Sequence, residues 1–131
     1  MDRKKFLIRL ALLIFFIFLV NLVALKFYWY YSIWYFDMIM HFLGGLWLGL
    51  AFFWLFSFKE LSLKLILKVI LGILLIGIFW EIFEILVNKT IAQNPFNILD
   101  AVSDIYFDLA GGIFAILYFL KRIMFKQKSA I

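Results

Sequence analysis

Four apolar runs, residues 6–26, 38–57, 65–87 and 101–120, decide what this chain can fold into. A helix rises about 1.5 Å per residue, and about 20 residues are needed to cross about 30 Å of hydrocarbon, so each run can span a bilayer. Lipid offers the backbone no hydrogen-bond partner, and an open strand of that length would leave its amides unpaired. The expected fold is an all-α membrane protein, a four-transmembrane-helix bundle. Of the 131 residues, 68% are hydrophobic, and once the runs are set aside no stretch remains that could bury a soluble core, so 1–131 reads as a single transmembrane domain. The first run follows Arg3, Lys4 and Lys5 like a signal peptide, but it is too long and no small-x-small cleavage site follows; a retained anchor helix is expected.

Basic residues give the orientation, because cytoplasmic connections concentrate them. Arg3, Lys4, Lys5 and Arg9, then Lys59, Lys64 and Lys68, then Lys121, Arg122, Lys126 and Lys128 fall on one side, eleven of the thirteen. Only Lys26 and Lys89 fall on the other, so both termini are expected to be cytoplasmic, in a bacterial or archaeal plasma membrane. The net charge of +5 is then a topology signal and an attraction to anionic lipid, and no nucleic-acid partner is expected. With no cysteine, disulfides, thiolate metal sites and cysteine nucleophiles are excluded.

The opposite side is built differently. Residues 26–36, KFYWYYSIWYF, read as an aromatic belt at headgroup depth. The later connection carries the only proline, Pro95, the sequon Asn88-Lys89-Thr90, and Asn97 as the cap of the fourth span. Of eight acids, only Asp2 and Glu60 are cytoplasmic on this topology. Asp37, Glu81, Glu84, Asp100, Asp104 and Asp108 all fall at or near the external ends of three spans, with His41, the only histidine.

Residues three or four apart share a helix face. The stripes are Asp37-His41-Gly45-Gly49, Gly77-Glu81-Glu84-Asn88 and Asp100-Asp104-Asp108 followed by Gly111 or Gly112 and Ala115. Each is polar toward the outside and small toward the middle, and small residues let membrane helices approach closely, so the three faces are expected to meet. Gly44-Gly45 and Gly111-Gly112 read as packing glycines. Asp37 and Asp100 sit at helix starts, where a carboxylate also serves the dipole; the deeper acids are costly in lipid and mark function. Six carboxylates with two nearby lysines need protons or divalent cations. Oxygen donors with one imidazole suit Mg²⁺, Mn²⁺ or Ca²⁺, with Zn²⁺ also possible.

D-x-x-x-H (Asp37, His41), E-x-x-E (Glu81, Glu84, in FWEIFE) and D-x-x-x-D-x-x-G (Asp104, Asp108, Gly111) resemble the VanZ-like membrane proteins and, more closely, the YjdF-like bacterial inner-membrane proteins, over residues 34–115. VanZ-like proteins often carry Gln and Asn where this chain has Glu84 and Asp108, so the acid count here is higher. The resemblance implies the cell envelope and an association with resistance to glycopeptide antibiotics such as teicoplanin.

Two function classes remain. One is a metal-dependent hydrolase or transferase for a phosphate-bearing lipid or envelope precursor, in which Glu81, Glu84, Asp104 and Asp108 hold the ion, Asp100 is a further ligand or supports the ligands from behind, His41 is general acid or base and Asp37 orients it. The other is non-enzymatic: a lipid-, antibiotic- or cation-binding membrane protein, or a proton- or ion-coupled carrier. No serine triad, phosphate loop or nucleotide fingerprint is present. Membrane lipids are the expected partners, and the sequence leaves the oligomeric state open.

Overall fold

The computed structural model describes residues 2–56, 62–87 and 97–129, with side chains as far as Arg122. The sequon, Pro95, Lys59, Glu60 and Lys89 lie outside the described residues. The elements are α1 (Arg3–Lys26), α2 (Trp29–Ser32), α3 (Phe36–Phe56), α4 (Leu63–Val87) and α5 (Ile98–Ser129). All but α2 are long and apolar enough to cross a membrane, α5 through its Ile98–Arg122 portion.

The helices start earlier than the apolar runs, and at α1, α4 and α5 a polar side chain caps the start. Asp2 accepts from the Lys4 amide at 3.0 Å and starts α1, and Ser62 Oγ accepts from Leu65 N at 3.2 Å ahead of α4. Asn97 Oδ1 takes the amides of Leu99 and Asp100 at 3.1 and 3.3 Å, the capping role its position suggested. The fourth span, α5, also outlasts its expected end at 120, running to Ser129. Lysine, arginine and glutamine favour a helix, and no glycine or proline follows Gly112 to stop it.

The stretch read as an aromatic belt also contains an unforeseen turn of helix, α2. Tyr28 enters the left-handed region (φ 59°) and turns the chain back toward the bundle. Tyr31 and Trp34 stay exposed, as a belt requires, while Phe36 is buried against the rings of Trp29 and Tyr30.

The tightest pairing in the bundle is α3 on α5, and small residues make it possible. A methyl group at Gly45 would fall inside the Asp108 backbone, and one at Gly111 would meet the Phe42 carbonyl oxygen. One at Gly49 would stand 2.7 Å from the Ala115 methyl. α4 closes on the same pair: a methyl at Gly77 would stand 2.9 Å from Asp108 Oδ2, and one at Gly112 would strike Ile73. Gly44 departs from the packing role expected for it, since among the described residues nothing on another element lies within 4 Å of where its Cβ would be.

Toward the other end of the bundle an apolar core forms from Phe53, Val69, Ile73 and Phe119, each at most 1% exposed. The first helix joins it through Phe6 and Leu10 and is tied to α3 by two indoles: Trp47 Nε1 donates to the Leu10 carbonyl at 2.9 Å and Trp54 Nε1 to that of Arg3 at 3.1 Å. In hydrocarbon, such a bond spares an indole N–H from going unpaired.

Candidate functional site

Gly45, Gly77 and Gly111 bring the backbones of three helices close together, so the longer side chains one turn further out converge. His41 projects from α3 one turn above Gly45 and meets α5. Its Nδ1 lies 3.0 Å from Asp108 Oδ1, and its Nε2 lies 3.4 Å from Asp104 Oδ2 and 3.7 Å from Asp37 Oδ1. A single imidazole therefore faces three carboxylates. Among the described residues no lysine or arginine forms an ion pair with any of them.

A second gathering lies against the first. Single oxygens of Glu81, Glu84 and Asp104 lie within 4.8 Å of one another, and donor atoms of Asp37, His41 and Asp104 do the same. Asp104 belongs to both groups and is 1% exposed; Glu81 is 7% exposed. Among the described residues, Glu81 Oε1 and Asp104 Oδ2 are fully buried and have no hydrogen-bond partner. A buried carboxylate oxygen without a donor is costly, and two of them on carboxylates of one group call for protons or a cation.

The remaining acids are placed less centrally. Glu84 accepts from Trp80 Nε1 at 2.9 Å, one turn back on α4, so an indole that is half exposed holds one of its oxygens. Asp108 lies on the Nδ1 side of His41, against Gly77, and is in neither three-residue group. Asp100, in the first turn of α5, is exposed and stands outside both groups as well.

Sequence reasoning did not single out Tyr30, on α2. Its hydroxyl donates to Asn21 Oδ1 at 2.6 Å. Partial burial, and then the negative charge of Asp37 and Glu84, holds that hydroxyl above the usual phenol range, and the same two acids put it at the rim of the acidic centre. The Trp80–Glu84 contact was legible as an i,i+4 pair, whereas Tyr30 reaches the rim only through the turn at Tyr28, which no local motif announces.

A family model described as "Predicted membrane protein (DUF2238)" matches residues 2–124. The chain belongs to the DUF2238 family. The match takes in all four spans and every acid and imidazole of the site, so this DUF2238 protein is a multi-pass membrane protein whose polar centre lies within the family's matched region. No curated protein and no solved structure matches it significantly.

Proposed function

We propose that this DUF2238 protein is a metal-dependent hydrolase or transferase acting on a phosphate-bearing lipid or envelope precursor at the outer face of the plasma membrane. One observation carries the reading: Glu81, Glu84 and Asp104 each bring one oxygen within 4.8 Å of the others, and Glu81 and Asp104 each hold a buried oxygen without a hydrogen-bond partner among the described residues. Ligand oxygens on opposite sides of Mg²⁺ stand about 4.0–4.2 Å apart, and across Ca²⁺ about 4.6–5.2 Å, so the spacing suits a hard divalent ion with little rearrangement. Such an ion neutralises phosphate oxygens and activates a water for attack. Tyr30, in the aromatic stretch expected at headgroup depth, feels the charge of Asp37 and Glu84, and that closeness favours a lipid phosphate over a soluble ester. The resemblance of the three acidic motifs to VanZ-like and YjdF-like proteins supports a substrate of the cell envelope.

A carrier would need the polar path to continue through the bundle. Below the acids the helices close on glycine contacts and then on Phe53, Val69, Ile73 and Phe119, so the catalytic reading is favoured. In proteoliposomes, Mg²⁺ or Mn²⁺ should support release or exchange of phosphate from a lipid phosphomonoester or diphosphate. Asp104→Asn should remove at least nine-tenths of that turnover. A folded, metal-loaded protein that turns over no phosphate-bearing lipid would sink the enzymatic reading.

The outer placement rests on the distribution of basic residues and has its own test. The chain has no cysteine, so Tyr31→Cys and Ser62→Cys each report one side. A membrane-impermeant maleimide added to intact cells should label position 31 and spare position 62. The reverse pattern would put the site on the cytoplasmic face.

A further inference from the structure

Asp104 is shared by two donor groups, and the second group, Asp37 with His41, has a geometry that one ion at Glu81 and Glu84 leaves unexplained. We infer that the centre holds two divalent cations bridged by Asp104, the second bound by Asp37 and by His41 Nε2. This inference rests on the single-ion reading above and extends it.

The imidazole supplies the first argument. With a proton on Nδ1 donated to Asp108 Oδ1 at 3.0 Å, a neutral ring turns the Nε2 lone pair toward Asp104 Oδ2 at 3.4 Å and Asp37 Oδ1 at 3.7 Å. Both imidazole-to-carboxylate separations are longer than the roughly 2.7–3.2 Å of a hydrogen bond, and one donor atom from each of the three residues lies within 4.8 Å of the others, near enough to close around a cation. A histidine that binds a metal through one nitrogen nearly always donates its other N–H to a carboxylate, and Asp108 stands in that place.

Charge supplies the second. Asp37, Glu81, Glu84, Asp104 and Asp108 carry five negative charges when ionised, with no lysine or arginine paired to them among the described residues. One divalent ion leaves three of those charges in a low dielectric, and two ions leave one. A carboxylate has two oxygens, so Asp104 can meet both ions; its Oδ2, on the His41 side, is buried without a hydrogen-bond partner among the described residues. Carboxylate-bridged ions stand about 3.5–4 Å apart, the spacing with which a metal pair clamps both the attacking and the leaving oxygen of a displacement at phosphorus. The nitrogen donor favours Mn²⁺ or Zn²⁺ over Ca²⁺ at the second position. His41 then acts as a ligand, and proton transfer passes to water held in the centre.

The test is a Mn²⁺ titration of chelator-stripped protein in phosphatidylcholine nanodiscs, with bound ion counted and its spin state read by electron paramagnetic resonance. The parent should bind two Mn²⁺ per chain and show the spectrum of an exchange-coupled pair. Asp37→Asn should fall to one Mn²⁺ and lose the coupling, while Asp104→Asn should lose both ions. The parent measurement needs no variant, so a folding defect in either substitution cannot hide the answer. A single uncoupled Mn²⁺ in the parent, unaffected by Asp37→Asn, overturns the second ion and leaves the single-ion site standing, with a proton on His41 Nε2 in its place. No bound Mn²⁺ overturns both.

Discussion

Adding a divalent ion to chelator-treated protein in detergent should raise its melting temperature by on the order of 10 °C. An ion that binds only the folded chain stabilises it by RT ln(1 + [L]/Kd), about 2.7 kcal/mol at about 100 times Kd, and for a chain of this size each kcal/mol moves the midpoint by several degrees. The effect should be largest near neutral pH and fade in acid, since ligand carboxylates must lose their protons before they coordinate. Glu84→Gln separates the ion from ordinary packing. The amide keeps an oxygen for the Trp80 indole, bonded at 2.9 Å in the parent, but gives up the charge that faces Glu81 and Asp104. It should therefore melt higher than the parent without metal, because repulsion is relieved, and respond little to metal. Asp108→Asn should behave differently. It touches the imidazole and belongs to neither donor group, so affinity should weaken by about 10–100-fold without disappearing. Differential scanning fluorimetry with Mg²⁺, Mn²⁺, Ca²⁺ and Zn²⁺ in turn reads all three proteins. If none of the four moves the parent, the metal site is wrong and protonated carboxylates hold the centre together.

Spacing within a helix was enough to place several of these groups. Asp37 and His41 lie on one face because they are four residues apart, and in the structure they face each other at 3.7 Å. Asn97 was readable as a cap because an Asx side chain reaches amides two and three residues on, which are those it takes. The length of each apolar run marked the spans. What spacing could not supply is which helix lies beside which. Asp108 binds His41 across 67 residues of sequence, and only the α3–α5 packing brings it there. The same limit explains Asp100, which shares its stripe with Asp104 but stands in the first turn of α5, where the helix emerges from the bundle. Gly44 and Gly45 look equivalent as a pair of letters. They project about 100° apart around α3, so only one of them can face α5.

That angular difference makes the glycine pair a sharp test of how the site is assembled. Gly45→Ala should destabilise the bundle by about 3 kcal/mol or more, at or above the upper end of ordinary overpacking, whereas Gly44→Ala should be neutral or slightly stabilising. At Gly45 the added methyl meets the backbone of Asp108, which has no rotamer to escape into, so α3 and α5 must separate. At Gly44 it meets nothing on another element within 4 Å, and alanine is the better helix former. Gly111→Ala should behave like Gly45→Ala from the other side of the same contact, because its methyl runs into the Phe42 carbonyl, one residue beyond His41. The consequence extends beyond stability. Forcing the two helices apart at Asp108 lengthens its 3.0 Å contact with His41 and pulls Asp104 away from Glu81 and Glu84 on α4, so the metal response should fall with the melting temperature. Thermal melts of the three alanine variants, each with and without Mn²⁺, decide the point. A Gly45→Ala protein that melts with the parent and keeps its full metal response would show that close approach of α3 and α5 does not build the site.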